Sequence, residues 1–455
     1  MANPEFDEEK NHAIPLYWLN GALIVIFIAI LLSSTLFPSS SNTNGKSCRC
    51  FQGVGTYSGV LKKGCCDYAV VNHVNREVLH PLLQELVKTP FFRYFKVKLW
   101  CDCRIDDGMC HLRDCSVCEC PKNEFPEPFK AQSHRHNSSS NLVCLEVNPE
   151  GAVDRTIDSK AFIGWREVDN PWTNDDEADN AEMTYVNLQL NPERYTGYSG
   201  PSARRIWDAV YKENCLKYPA GEICPEKKVV YKLISGLHSS ISLHIADEYL
   251  LDEASNTWGK NLTLMYDRVL QFPDRVENLY FTFLFVLRAV TKAADYLDQA
   301  LYDTGNPEDD LKTQSWIDQL VYHPKLKFAC PLPFNEARLW KGQGEPDLMQ
   351  QIQKQFRNIS AMMDCMGCEK CRLWGKLQFL GLGTALKILF YVNCQERLGE
   401  KFHFQRNEVI ALINLLNRLS ESIMLVHEMR PSLEKVMGKQ ISIPSDQPLM
   451  TGGHV

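Results

Sequence analysis

Asp364-Cys365-Met366-Gly367-Cys368-Glu369-Lys370-Cys371-Arg372-Leu373-Trp374-Gly375-Lys376 places three cysteines at spacing three between two long segments of helix-period apolar sequence. On a helix that spacing brings successive sulfurs to roughly one face. Backbone N–H groups at a helix start favour the ionised sulfur, and Gly367, Arg372 and Lys376 point the same way. An iron–sulfur run would want a fourth cysteine about three residues on, but position 375 is glycine. A zinc site would want a second cysteine or histidine pair, and no clean second set exists, so no metal is expected. The ordinary alternative is a disulfide staple.

Outward from this stretch, the 455 residues allow two or three domains or one large helical domain. A net charge of −7 and the lack of any long basic run argue against nucleic acid. Of the 18 cysteines, ten precede residue 121, a density that suits a secretory compartment better than the cytosol. Three sequons, at Asn137, Asn261 and Asn358, agree as glycosylation candidates.

Residues 13–37 read as a transmembrane signal anchor. The run Trp18 to Phe37 is uncharged and long enough to cross the ~30 Å hydrocarbon core, with Tyr17 and Trp18 at an interface. A cleavable signal peptide would want a basic n-region and a shorter apolar run. Flanking charge (Lys10 before, Lys46 and Arg49 after) would leave the main domain cytosolic, but the cysteines and sequons outweigh that count. The expected order is therefore a cytosolic tail (1–12), the anchor (13–37), a Ser/Asn linker (38–47), a lumenal domain (48–440) and a flexible tail (441–455).

Within the lumenal domain, Cys48, Cys50, Cys65 and Cys66 flank a Gly-rich segment too short to have its own core. The nested pairing 48–66 with 50–65 is favoured among three connectivities. An amphipathic helix is expected over 71–86 and an extended piece over 91–99. Residues 101–141 lack an apolar period and read as a polar, mobile loop. In it Cys110 and Cys115 stand five apart, close enough to bridge and exposed enough to exchange, or simply to staple the loop. Residues 172–191 read as a polar connector.

The remainder is mainly α. Helices are expected over about 227–251, 275–303, 347–364, 377–395 and 405–438, from apolar spacing at i, i+3, i+4 and i+7. Ser235 and His238 share a face of the first, where a lone histidine is more often a satisfied core residue. Arg288 interrupts a nearly unbroken apolar face and must meet a carboxylate or an anionic ligand. Asn191-Pro-Glu-Arg194-Tyr-Thr196-Gly-Tyr198 sets an arginine among aromatics and glycine, suited to a phosphate beside a flat ring or to an ordinary turn.

Cys365-Met-Gly-Cys368-Glu-Lys-Cys371-Arg-Leu-Trp-Gly-Lys, Leu233-Ile-Ser-Gly-Leu-His238 and Asn191-Pro-Glu-Arg-Tyr-Thr-Gly-Tyr198, in their positions along the chain, resemble the endoplasmic reticulum oxidoreductins, flavin-dependent thiol oxidases that recharge protein disulfide isomerase. The likeness runs from about residue 48 to 438. It implies a single large helical domain enclosing FAD, with a disulfide-stapled N-terminal segment and a mobile cysteine-rich loop. By resemblance Cys368 and Cys371 are the flavin-proximal dithiol and Cys110 and Cys115 the shuttle pair. Cys365 pairs with Cys101, and Cys215 with Cys224, as structural bridges. Arg194, Thr196, Trp207, Ser235, His238, Arg275 and Arg288 are the implied flavin-gripping residues.

The chain departs from that pattern in places. Cys144 resembles one regulatory partner of the shuttle pair, the acidic segment 174–182 lacks the second, and Cys103 and Cys118 are additional. The resemblance implies oxidation of the isomerase through shuttle and inner pairs, with electrons passing to FAD and then to O2 as H2O2. The expected protein is a monomer in the endoplasmic reticulum membrane. A non-catalytic, cysteine-rich ectodomain or metal-binding adaptor is the reading from a different class.

Overall fold

The computed structural model describes residues 68–99, 116–121, 123–131, 144–145, 170–173, 183–193, 201–213, 225–252, 254–299, 302–324, 326, 339, 346–364, 366, 368–390, 402–438 and 441. The chain divides into two compact units, Met1–Lys46 and Ser47–Val455, and every described residue belongs to the second. The expected anchor, the four N-terminal cysteines, the pairs 110/115 and 215/224, and Cys101, Cys103, Cys365, Arg194, Thr196 and Asn137 lie outside the described residues.

The described elements run α1 (Tyr68–Val74), a π turn (Asn75–Leu79), α2 (His80–Leu86), α3 (Pro90–Arg93), β1 (Tyr94–Val97), α4 (Glu127–Ala131), β2 (Cys144–Leu145) and β3 (Thr184–Asn187). Then follow α5 (Pro201–Glu213), α6 (Pro225–Asp247), β4 (Tyr249–Asp252), β5 (Thr257–Gly259), α7 (Leu262–Met265), a second π turn (Tyr266–Leu270), α8 (Pro273–Lys292) and α9 (Ala294–Gln299). The C-terminal part adds α10 (Pro307–Tyr322), α11 (Pro346–Asp364), α12 (Glu369–Phe390), β6 (Phe402–His403) and α13 (Arg406–Met437). The class is mainly α, as the apolar periodicity indicates.

Four helices make the frame. α6 packs on α8, α12 packs on α13, and α13 also touches α6 and α8. Two glycines permit the closest crossings. A Cβ at Gly381 of α12 would meet the carbonyl oxygen of Ala411 on α13 at 2.5 Å, and one at Gly236 of α6 would collide with the Asn278 backbone on α8. Among the described residues α13 is the one helix long and apolar enough to cross a membrane, but most of it is buried, making it the bundle's central strut.

α13 starts at a full capping box. Gln405 is the N-cap, and Glu408 accepts the Gln405 N–H at 2.8 Å while facing Lys387 of α12 at 2.9 Å. Both charged side chains are completely buried, and Asn170 donates to the same carboxylate at 2.7 Å. At the other end Gly438 takes φ +62°, the left-handed cap that glycine adopts without a Cβ clash.

Several boundaries differ from the periodicity. α12 begins at Glu369, eight residues before the expected start, because Gly375 and the charged Lys370, Arg372 and Lys376 dilute the apolar pattern although Lys370 and Lys376 are buried. The expected 71–86 helix is interrupted by the π turn at Asn75, whose side chain is buried and donates to the Ser420 carbonyl. The expected 91–99 extension is a short helix followed by β1. The 172–191 connector contains fully buried Trp172 and the strand β3, which pairs antiparallel with β1 (Tyr94 with Asn187, Val97 with Thr184). Tertiary burial overrides the local polar composition there.

The candidate dithiol site and its aromatic cradle

Cys368 is the residue before the first turn of α12, in the N-cap place, and Cys371 is the third helical residue. The Cys371 N–H donates to the Cys368 sulfur at 3.4 Å, while the Cys368 carbonyl accepts from the Arg372 N–H at 2.8 Å. A cysteine thus does what serine or threonine does at an N-cap, with an orphan amide and the positive end of the helix aimed at sulfur. Both cysteines are buried, at 4% and 1% exposure, so an incoming thiol must be delivered to them.

Arg372, one turn on, donates from Nε to the Met366 carbonyl at 2.9 Å and from Nη1 to the Leu99 carbonyl. Trp374 donates its indole N–H to the Asn191 carbonyl at 2.8 Å, and the Arg418 guanidinium lies 5.2 Å over the Trp374 ring. Arg418 also pairs with Glu193 and Glu421. Burial pushes the Glu193 carboxyl up to about 7 against the pull of Arg418. Burial works against charging Arg418 as well, yet the two carboxylates hold it more firmly protonated than usual. This buried cluster ties the 191–193 segment to α12 and α13.

The second part of the site is an aromatic cradle between α5, α6 and α8. The rings of Trp207 and His238 stack at 3.8 Å with 17° between planes, and the His238 Nδ1 lies 3.0 Å from the Tyr211 hydroxyl. Ser235 accepts from the Asn278 amide at 3.0 Å, which joins α6 to α8 one turn beyond Arg275. Arg275 lies over the Phe272 ring at 4.0 Å and donates to the Arg268 carbonyl. Enclosure lowers the His238 pKa to about 3, with further lowering by the charges of Arg275 and Arg268. His238 is half-buried.

The structure therefore brings Trp207, Ser235, His238 and Arg275 together. Arg288 lies on the same helix, ~20 Å from Arg275 at 1.5 Å per residue, and is half-buried rather than buried. Sequence reasoning did not single out Tyr211, Tyr231 or Arg268. Tyr211 sits four residues after Trp207 on the same helix, an i, i+4 spacing that is the signal available for it.

The family model of the endoplasmic reticulum oxidoreductin 1 proteins matches residues 78–426. The chain belongs to that family. It is 67% identical over 405 residues to endoplasmic reticulum oxidoreductin-1 of Arabidopsis thaliana, covering 88% of this chain and 86% of the relative. It is 36% identical over 468 residues to ERO1-like protein alpha of Homo sapiens, covering 91% and 99%. A cysteine double mutant of S. cerevisiae Ero1p superposes with a TM-score of 0.55 at 28% identity, covering 82% of this chain and 98% of that one. A further structure of Ero1p, described as the source of disulfide bonds for oxidative protein folding in the cell, gives 0.52 at 29% over the same shares.

As an oxidoreductin, the chain is an FAD-dependent thiol oxidase of the endoplasmic reticulum that acts on protein disulfide isomerase and supports oxidative protein folding. The cradle fits the cofactor. Two guanidinium groups bear on one neutral histidine, a balance that an anionic diphosphate would complete, and the stacked rings offer a flat platform.

Proposed function

We propose that reduced isomerase passes two electrons to the Cys110–Cys115 disulfide, that this pair passes them to Cys368–Cys371, and that dioxygen is the final acceptor. A thiolate of the isomerase attacks one shuttle sulfur, the S–S bond breaks, and its second thiolate releases the isomerase as a disulfide. The resulting shuttle dithiol repeats the same exchange on the inner disulfide, leaving Cys368 and Cys371 as thiols. FAD, when bound, would supply the two-electron chemistry that connects this dithiol to O2, with H2O2 as the product. Trp207, Ser235, His238 and Arg275 orient the cofactor, with Arg194, Thr196 and Arg288 as further contacts. The bridges 101–365, 215–224, 48–66 and 50–65 hold the frame.

The observation that carries this reading is the N-cap place of Cys368, whose sulfur receives the Cys371 N–H inside a buried helix start. That arrangement aims a backbone donor at the sulfur and shields it from casual thiols. We further place the catalytic domain on the lumenal side of a single-pass anchor at 13–37, as a monomer. Asn358 is exposed on α11 and suits glycan attachment; Asn261 caps α7 with its side-chain oxygen and is the less accessible sequon.

Full-length protein purified in detergent tests the relay. Cys371→Ala should stop turnover with every thiol substrate. Cys110→Ala or Cys115→Ala should stop oxidation of the isomerase but spare a small dithiol that reaches the inner pair directly. Equal loss in all three variants would defeat the relay, and a colourless, zinc-containing preparation would defeat the flavoenzyme reading altogether.

A further inference from the structure

The residues between the two inner cysteines are not passive. Glu369, the first residue of α12, accepts the backbone N–H of Val117 at 2.8 Å, a contact between positions 252 residues apart. Beside it the Asn191 side chain grips Cys118 from both sides: Oδ1 accepts the Cys118 N–H at 2.7 Å and Nδ2 donates to the Cys118 carbonyl at 3.0 Å. Glu119 then bridges to Val186 of β3, and the Cys120 N–H donates to the Tyr185 carbonyl at 2.8 Å. Asn191 in turn is tied to α12 through the Trp374 indole.

An acid in the first turn of a helix has an ordinary reading, since it complements the helix dipole by about 0.3–1 kcal/mol. That role needs no acceptor geometry toward a distant segment. Here one carboxylate oxygen is engaged by a remote amide, and the next residue of that segment is clamped by a second side chain. The consecutive anchors pass from the helix start at 117, through Asn191 at 118, to the edge of β3 at 119 and 120.

We propose that Glu369 and Asn191 form a tether that fixes the chain immediately after the shuttle pair against the helix start bearing the inner pair. Both are positioning residues. The inference rests on the relay reading, because it gives the tether its purpose. Position 115 is two residues before Val117, and two residues of chain span at most about 7 Å, so an anchor at Val117 bounds the search of that cysteine. Attack of a reduced shuttle thiolate on the inner disulfide needs the sulfurs in line at close range, and small misplacement costs rate steeply.

The tether is tested by flavin bleaching under nitrogen after mixing full-length protein with reduced isomerase or with a small dithiol. Glu369→Ala should slow bleaching by the isomerase about tenfold, leave its KM within twofold, and leave bleaching by the small dithiol within twofold. Glu369→Gln keeps an acceptor oxygen and should restore the isomerase rate to within twofold of the parent. Asn191→Ala should act in the same direction as Glu369→Ala. Equal slowing with both substrates, or no slowing with the isomerase, would overturn the tether. Cys110→Ala and Cys115→Ala, run alongside, separate the two ideas. If they oxidise the isomerase at the parent rate, the relay itself has failed; if they are dead while Glu369→Ala is fast, only the tether has failed.

Discussion

Cys368 and Cys371 stand at the head of a buried helix, whereas Cys118 and Cys120 stand in an extended segment held at a sheet edge. Both pairs place their side chains on one face, by the three-residue period of the first and the two-residue period of the second. Their surroundings set them apart. The helix start turns an amide and a dipole toward the Cys368 sulfur. The sheet edge spends the Cys120 amide on the Tyr185 carbonyl, and burial with nearby Glu124 pushes the Cys120 thiol up to about 11. Cysteine spacing alone does not make a reactive pair; the backbone that holds the sulfurs decides what their neighbours offer.

The largest expected effect would break the comparison at its frame. If the inner pair depends on a rigidly packed α12, removing the charge that holds Lys387 in the core should damage it from a distance. Glu408→Ala leaves that lysine without its carboxylate and should cost about 3–5 kcal/mol of stability. A chemical-denaturation curve checks the cost, and alkylation of reduced protein should show Cys368 more accessible while exposed Cys118 labels as before. An unchanged curve would mean that α12 does not rely on this pair.

Acid offers a graded version. His244 on α6 is buried, and its Nε2 meets the Ser422 hydroxyl and the Arg418 carbonyl at 3.1 Å each. Burial, with added repulsion from Arg418, lowers its pKa to about 3. Below the ordinary histidine value near 6.5 the unfolded chain takes up a proton that the folded chain refuses. Stability therefore falls as pH drops, by about 2 kcal/mol between pH 7 and pH 5 from this residue alone. Melting curves should show the drop, and His244→Gln should lack this share; parallel curves for both proteins would contradict it.

The smallest effect bears on Cys120 at the sheet edge. In the reduced, folded protein Cys120 should alkylate at neutral pH about tenfold more slowly than in the urea-unfolded chain. Its thiolate is about a hundredfold scarcer, and the higher basicity recovers about tenfold in nucleophilicity. Peptide mapping after brief labelling reads the ratio. Equal rates would bring the two pairs closer together than their surroundings suggest.

Much of this was legible along the chain. Apolar periodicity located the frame helices, and the three quoted motifs carried the family and its cofactor. What periodicity hid was where α12 begins, because buried Lys370 and Lys376 read as surface residues when counted by type. It also hid Trp172, fully buried within a polar stretch, and Tyr211, whose hydroxyl reaches His238. A hydrophobic count cannot register a lysine buried beside a carbonyl or a carboxylate, since its partner lies far away in sequence.

The sequence by itself determined the class of fold and the compartment suited to so many cysteines. These follow from local period, composition and residue type, which need no partner to be read. Only the tertiary structure decided that Cys368 caps a helix, that Trp207 and His238 stack, and that Glu369 holds Val117. Each of these is a short-range, directional contact, two of them between residues distant along the chain. Hydrogen bonds and ring stacking act over a few ångströms and specific angles, so folding must bring the groups together before the contact exists.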